Sequence, residues 1–329
     1  MAEKWGIKII GTGSCLPDKI LTNADLERMV DTSDEWIVSR TGIKERRIAD
    51  DKTATSDLAI GASKAALEQA NIKPEDIDLI MVATITPDMM FPSTACFVQE
   101  ALGAKNAAAF DISAACSGFI YGLSIAKSFI ENSSYKTILL IGAETLSKIT
   151  DWNDRNTCVL FGDGAGAVVL QKQKTSSNIL SVYLGSDGRY KDILKIPGGG
   201  SRFPITKEII KNKLNFIKME GNEVFKLAVQ RMLDSARLAL EMAQKKCDDL
   251  SLVIPHQANI RIIEALAKRM KIPMNKVFLN IHKYGNVSAA TTVIGLDEAN
   301  RSGLLKEGDL VELVAFGAGL TWAASIIEW

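Results

Sequence analysis

Ala107-Ala108-Ala109-Phe110-Asp111-Ile112-Ser113-Ala114-Ala115-Cys116-Ser117-Gly118-Phe119 joins two periodicities in one short stretch. Ala107 to Ile112 is a brief apolar run that reads as a buried strand. From Ser117 to Ile130 the apolar positions Phe119, Leu123, Ala126 and Ile130 recur at helical spacing. Cys116 therefore stands at a strand-to-helix turn, where unpaired NH groups and the helix dipole favour an anion. That placement predicts a thiol that ionises readily and acts as a nucleophile. From position alone Cys116 reads equally well as a small buried hydrophobe. Cys15, Cys96, Cys158 and Cys247 show neither CxxC pairing nor ligand spacing, so they read as structural and no metal site or disulfide framework is expected.

Working outward, the chain repeats itself. A helix from Ser56 to Ala70 precedes Pro74-Glu75-Asp76 and the strand Leu79 to Ala83; a helix from Asn222 to about Lys246 precedes Asp248-Asp249 and the strand Ser251 to Ile254. The strand and turn that deliver Cys116 to a helix have a counterpart in Val277-Phe278-Leu279-Asn280, then Gly285-Asn286, then a helix opening at Ser288. Phe161-Gly162-Asp163-Gly164 before one strand is echoed by Phe316-Gly317-Ala318-Gly319 before another. Three echoes in register argue for duplicated α/β halves, 1–173 and 174–329, with the polar run Gln171 to Asn178 as the seam. Short apolar strands alternating with helices predict mixed sheets covered on both faces, hence a five-layer α/β/α/β/α body. The segment from Ile196 to about Met219 does not fit the repeat and reads as a lid, a tunnel wall or an ordinary surface insertion.

Charge excludes several partners. Lys plus Arg and Asp plus Glu both number 39, so no global field recruits nucleic acid or an anionic membrane. The N-terminal segment is too polar for a signal peptide. The longest apolar stretch, Leu313 to Ile327, is interrupted by Gly317, Gly319, Thr321 and Ser325 and falls short of the ~20 residues needed to span a bilayer. The expectation is a cytoplasmic protein.

With only two histidines in the sequence, the search for a partner to Cys116 is short. His256 follows the apolar strand Val253-Ile254-Pro255 and precedes a helix at Ile260, and strand ends facing a crevice are where α/β folds put ligands. His282 lies in a polar turn and reads as solvated or structural. Asn286, in isolation, reads as a turn or helix-cap residue.

Ala114-Ala115-Cys116-Ser117-Gly118-Phe119, His256-Gln257-Ala258-Asn259 and Tyr284-Gly285-Asn286-Val287-Ser288-Ala289-Ala290 together resemble the Cys-His-Asn motifs of the β-ketoacyl-acyl-carrier-protein synthase III family. The likeness runs from Ile9-Ile10-Gly11-Thr12-Gly13 to Ala315-Phe316-Gly317-Ala318-Gly319-Leu320-Thr321-Trp322. It implies the thiolase fold, a homodimer, and condensation of an acyl-CoA primer, acetyl-CoA by default, with malonyl-acyl-carrier protein, with no cofactor beyond these substrates. In that scheme Cys116 takes the acyl group, and the backbone NH groups of Cys116 and Ala318 form the oxyanion hole. His256 and Asn286 stabilise the thioenolate left by decarboxylation. The same resemblance assigns CoA binding to Trp36, Arg40 and Arg155, with Trp36 and Arg155 sandwiching the adenine. It assigns the acyl and pantetheine channel to Phe91, Phe225, Asn259 and Phe316, and carrier-protein docking to Arg261, Lys268 and Gln257. Unaided, Phe91 and Phe225 read as core, and the charged Arg40 neighbourhood and the basic helix stripe as solvated surface. The chain departs from the family in having Ala318 within the glycine loop and Asn156 in place of glycine.

The alternative within this fold is another Cys-His-Asn condensing enzyme with a different primer or acceptor. A degradative thiolase would need a second reactive cysteine near the C-terminal glycine loop, and none follows Cys247. An elongating synthase would carry histidine where Asn286 stands. A papain-like hydrolase also uses Cys, His and Asn but is disfavoured by the duplicated pattern. A non-catalytic acyl-binding module is disfavoured by the presence of all three polar residues.

Overall fold

Two sheets carry the duplication. The computed structural model of the chain describes residues 5–132, 134–174 and 178–329. The first four residues of the polar N-terminal segment and the middle of the Gln171 to Asn178 seam therefore lie outside the described residues. The first sheet comprises β1 (Gly6–Cys15), β2 (Leu79–Ala83), β3 (Ala108–Ile112), β4 (Thr137–Thr145) and β5 (Asp163–Gln173), in the order β3-β2-β4-β5-β1. The second comprises β6 (Ile179–Ser186), β7 (Leu252–Pro255), β8 (Leu310–Gly317) and β9 (Thr321–Glu328), in the order β7-β8-β9-β6. In both, the first pairings are parallel and the rest antiparallel: β3, β2 and β4 run together, as β7 and β8 do. β5 and β1, like β9 and β6, close the sheets antiparallel. The strand expected at Val277 to Asn280 is reduced to one parallel bridge between Val277 and Val253. It occupies the edge position that β3 holds in the first sheet, and a short helix, Ile281–Tyr284, cuts it off.

Helices separate and cover the sheets. α1 (Thr55–Ala70) and α2 (Thr94–Leu102) pack on the outer face of the first sheet, and α4 (Gly221–Met242) covers the outer face of the second beside α5 (Ile260–Met270). α3 (Gly118–Asn132) and α6 (Ala290–Arg301) lie between the sheets and touch both. Helix α5 shows how local chemistry sets an element. Asn259 caps it by accepting from Arg261 N, at 2.9 Å. Ile262, Ile263, Leu266, Ala267 and Met270 form its buried stripe, and Lys271 ends it in a left-handed conformation. In α6, by contrast, Ala290 through Asp297 are buried without interruption, as a helix sealed in the central layer requires. Strand β4, Thr-Ile-Leu-Leu-Ile-Gly-Ala-Glu-Thr, is likewise buried at every position because helices cover both its faces. The result is the five-layer α/β/α/β/α arrangement, and the segment between Lys195 and Met219 folds back through a two-residue pairing of Leu194–Lys195 with Lys218–Met219. Among the described residues no helix is long and apolar enough to cross a membrane.

One buried group opposes the fold. Glu312, in the middle of β8, is fully buried on the face that carries Leu310, Val314 and Phe316, and neither carboxylate oxygen has a hydrogen-bond partner. Burial raises its pKa well above the ordinary 4.5. The folded chain therefore holds a proton that the unfolded chain releases, and stability falls as pH rises from the unfolded value toward the folded one. Replacing Glu312 with Leu should leave stability near pH 4.5 little changed. The advantage of the variant should then grow by up to about 1.4 kcal/mol per pH unit, measured by urea unfolding at several pH values.

Candidate active site

Cys116 sits on a strained elbow. β3 ends at Ile112, Ala115 adopts φ 46°, and a single 3-10 turn over Ala115–Ser117 leads into α3. A positive φ at alanine persists only where the surroundings hold it. Thr321 Oγ1 donates to Ala114 O at 2.9 Å, and the end of β8 closes against the turn. Gly317 approaches so nearly that a Cβ there would stand 2.6 Å from Cys116 N. Only glycine fits at 317.

The other two residues come from the second half. His256 continues the end of β7, its NH donating to Val314 O at 2.8 Å. Its Nδ1 lies 2.6 Å from Thr291 Oγ1, which is also 3.1 Å from Ser288 O. We assign the hydroxyl proton to the shorter contact, which leaves the ring proton on Nε2. Burial pushes the ring pKa down to about 3, so the imidazole is neutral and acts as a donor. Asn286 is gripped across the halves: its NH donates to Leu160 O at 2.9 Å and its carbonyl accepts from Gly162 N at 3.0 Å. Gly285 takes φ 63° with Leu160 O where its Cβ would go, which sets the approach. Asn286 Oδ1 accepts from Ser288 N at 2.8 Å, leaving the Nδ2 hydrogens as donors. Ser288 itself has φ 44°, so each central helix is entered through a strained, non-glycine residue.

Cys116, His256, Asn286 and Ala318 line one cavity of about 690 Å³. Trp36, Arg40, Asn156 and Arg261 line it as well, together with Phe225, Asn259, Phe316 and Leu146. Ile196, Ile217 and Met219 supply part of its wall, so the segment outside the repeat is a tunnel wall. The helix start had predicted a readily ionised thiol; burial instead pushes Cys116 up to about 12. The resting nucleophile is S–H. Among the described residues no cluster of His, Cys, Asp and Glu could hold a metal ion.

Three expectations change. Trp36 and Arg155 are in direct contact, with the guanidinium 4.6 Å from the ring centroid and Arg155 Nη1 donating to Asp31 O at 2.7 Å. An adenine would have to part them, whereas Arg40, 5.8 Å from the same ring, already borders the cavity. Phe91 does not line the cavity of its own chain; it is 83% exposed beside exposed Met89 and Met90. Gln257 is not available for docking, being 1% exposed. Its Nε2 donates to Pro255 O and Phe278 O, and its Oε1 accepts from Asn280 N and Ile281 N. It ties β7 to the segment that leads to Asn286. His282 is half-buried and remote from the cavity lining.

Family models described as 3-oxoacyl-[acyl-carrier-protein (ACP)] synthase III and its C-terminal part match residues 110–188 and 240–329. The β-ketoacyl-[acyl-carrier-protein] synthase III of Caldanaerobacter subterraneus subsp. tengcongensis is 62% identical, covering 100% of this chain and 99% of its own. The chain belongs to the 3-oxoacyl-[acyl-carrier-protein] synthase III family. The solved synthase III of Aquifex aeolicus superposes with TM-score 0.92 at 52% identity, covering 98% of this chain and 100% of that one. A priming β-ketosynthase of a polyketide pathway matches with TM-score 0.92 at 34% identity, covering 99% and 97%. The thiolase fold and the condensing-enzyme class follow from this membership.

Glu144 and Ser288 were missed by the sequence reading. Glu144 ends a strand that reads as core, and Ser288 as the opening of a helix. The Gln257 clamp yields a stability prediction: Gln257→Ala strands two buried NH groups and should lower unfolding stability by about 2–4 kcal/mol. Chemical denaturation measures that loss, and carrier-protein KM should move no more than primer KM.

Proposed function

We propose that this chain joins an acyl-CoA primer, acetyl-CoA by default, to malonyl-acyl-carrier protein by decarboxylative Claisen condensation, the step that initiates fatty acid synthesis. The observation that carries the reading is the convergence of Cys116, His256 and Asn286, from three separate segments, on one cavity. The Cys116 sulfur attacks the primer carbonyl while the NH groups of Cys116 and Ala318 hold the oxyanion; Ala318 donates from its backbone, so its methyl does not remove the donor. CoA leaves and the acyl group stays on sulfur. Loss of carbon dioxide from the malonyl group then places charge on a thioester oxygen, where the neutral His256 Nε2–H and Asn286 Nδ2–H are the donors. The resulting carbanion attacks acyl-Cys116.

Recognition is cationic at the mouth. Arg40 and Arg155 with Trp36 are assigned to CoA. Exposed Arg261 and Lys268 on α5 are assigned to the acidic carrier protein, and the Arg261 guanidinium lies 5.5 Å over the Phe225 ring. The thioester substrates suffice without a cofactor. A homodimer accords with the unpaired edge of β3 and the exposed Met89, Met90 and Phe91 patch. The five free cysteines accord with a reducing cytoplasm.

Carboxyl-labelled malonyl-carrier protein with acyl-CoA should release labelled carbon dioxide and form the ketoacyl product. Product without label release would defeat the reading. Cys116→Ala should abolish acylation, read by intact-protein mass, yet retain malonyl decarboxylation with no histidine limb near neutral pH, since His256 stays neutral above about 3. Charge reversal by Arg261→Glu should raise the KM for malonyl-carrier protein and flatten its salt dependence, leaving primer KM little changed.

A further inference from the structure

Acylation must dispose of a proton. The buried Cys116 rests as a thiol, and the sulfur becomes a strong nucleophile only as that proton departs. His256 is poorly suited to receive it, because burial disfavours its cation so strongly. Another acid stands behind the nucleophile. Glu144, on the last turn of β4, is fully buried and has no cationic partner among the described residues. Its carboxylate accepts from Thr86 Oγ1 at 2.6 Å, Thr84 Oγ1 at 3.2 Å and Ile85 N at 3.1 Å. Thr55 and Thr145, from α1 and β4, complete a neutral hydroxyl network around Thr86. Burial lifts the Glu144 carboxyl to about 7, the range in which a group can take and return a proton at neutral pH.

Ser288 connects the two. Its hydroxyl is close enough to favour both the Cys116 thiolate and the Glu144 carboxylate. It is buried and settled in a well-angled hydrogen bond with neither, so it is free to turn between them. Its backbone is fixed by the bond to Asn286 Oδ1 and by the start of α6. The titratable group facing Glu144 through Ser288 is Cys116 itself, whose own charge and that of Glu144 repel, so one proton shared between them is favoured over none.

We propose that Glu144 accepts the Cys116 proton through the Ser288 hydroxyl during acylation and returns it to the sulfur when the condensed product departs. The proposal rests on the condensing reaction above and adds a positioning pair to the Cys-His-Asn set. In the first half-reaction the S–H proton passes to Ser288 Oγ as the Ser288 proton passes to Glu144. The sulfur–carbonyl carbon bond forms and the carbon–sulfur bond of CoA breaks, and CoA leaves as a thiolate that takes a proton from water. In the second, decarboxylation supplies the carbanion, its attack expels the Cys116 thiolate, and the proton held by Glu144 returns by the same route. One proton is drawn from solvent per turnover, and sulfur, serine and carboxylate all end as they began.

The test is rapid-quench acylation by acetyl-CoA as a function of pH, read by intact-protein mass. Wild type should show a rate that rises through an apparent pKa near 7. Glu144→Gln should acylate about 10²–10⁴-fold more slowly and lose that limb, and Ser288→Ala should reproduce the defect. Glu144→Asp should recover part of the rate and restore a limb. Malonyl decarboxylation should be alike in Cys116→Ala and in the Cys116→Ala, Glu144→Gln double variant, which a merely misfolded floor would not allow. Acylation of Glu144→Gln at the wild-type rate, or equal loss of both half-reactions, overturns the relay. Failure of wild type to acylate at all would instead defeat the condensing reaction beneath it.

Discussion

The contact of Gly317 with the Cys116 amide is the constraint on which the rest of the site depends. With no side chain between them, the end of β8 in the second half lies directly on the turn that leaves β3 in the first. That approach sets the oxyanion donors of the two halves side by side, which a methylene of extra separation would spoil. It also holds Ala115 in a conformation alanine avoids, just as the Leu160 to Gly162 grip on Asn286 accompanies the strained Ser288. Both strained residues open central helices whose remaining turns are sealed between sheets, and that burial is what holds the strain in place.

Charge follows depth in the cavity. Arg40 and Arg261 border the mouth, and Arg155 stacks on Trp36 there, so cations meet anionic substrates where water can still solvate both. At the floor burial works against every charge: the thiol stays protonated, the imidazole stays neutral, and Glu144 is held near neutrality by hydroxyl and amide donors alone. A low-dielectric floor strengthens hydrogen bonds to charge that appears only in the reaction, which suits acyl transfer and decarboxylation better than a resting ion pair would. Glu312 shows the same cost with no evident return, since its oxygens find no donor at all.

Much of this was legible in the sequence because it is local or repeated. The helix at 260–270, the strand at 79–83 and the elbow at Cys116 each follow from apolar spacing. The order of elements around each sheet follows from the duplicated pattern, and the bridge at Val277 shows where the copy has shortened. What stayed hidden was orientation. Gln257 sits in a polar motif next to the catalytic histidine, yet its side chain turns inward to hold four backbone groups, and Phe91 sits in an apolar run yet turns outward. Neither direction has a periodic signature, because loops obey no fixed repeat.

By itself the sequence determined the doubled α/β architecture, the turn that carries Cys116 and the identity of its two partners, since periodicity, turn chemistry and motif are all properties of neighbouring residues. Only the tertiary structure decided that the thiol rests protonated, that Arg155 closes on Trp36, and that Glu144 and Ser288 stand behind the nucleophile. Those outcomes depend on burial and on contacts between residues far apart in the chain, and desolvation at the cavity floor outweighs what the helix terminus alone would have set.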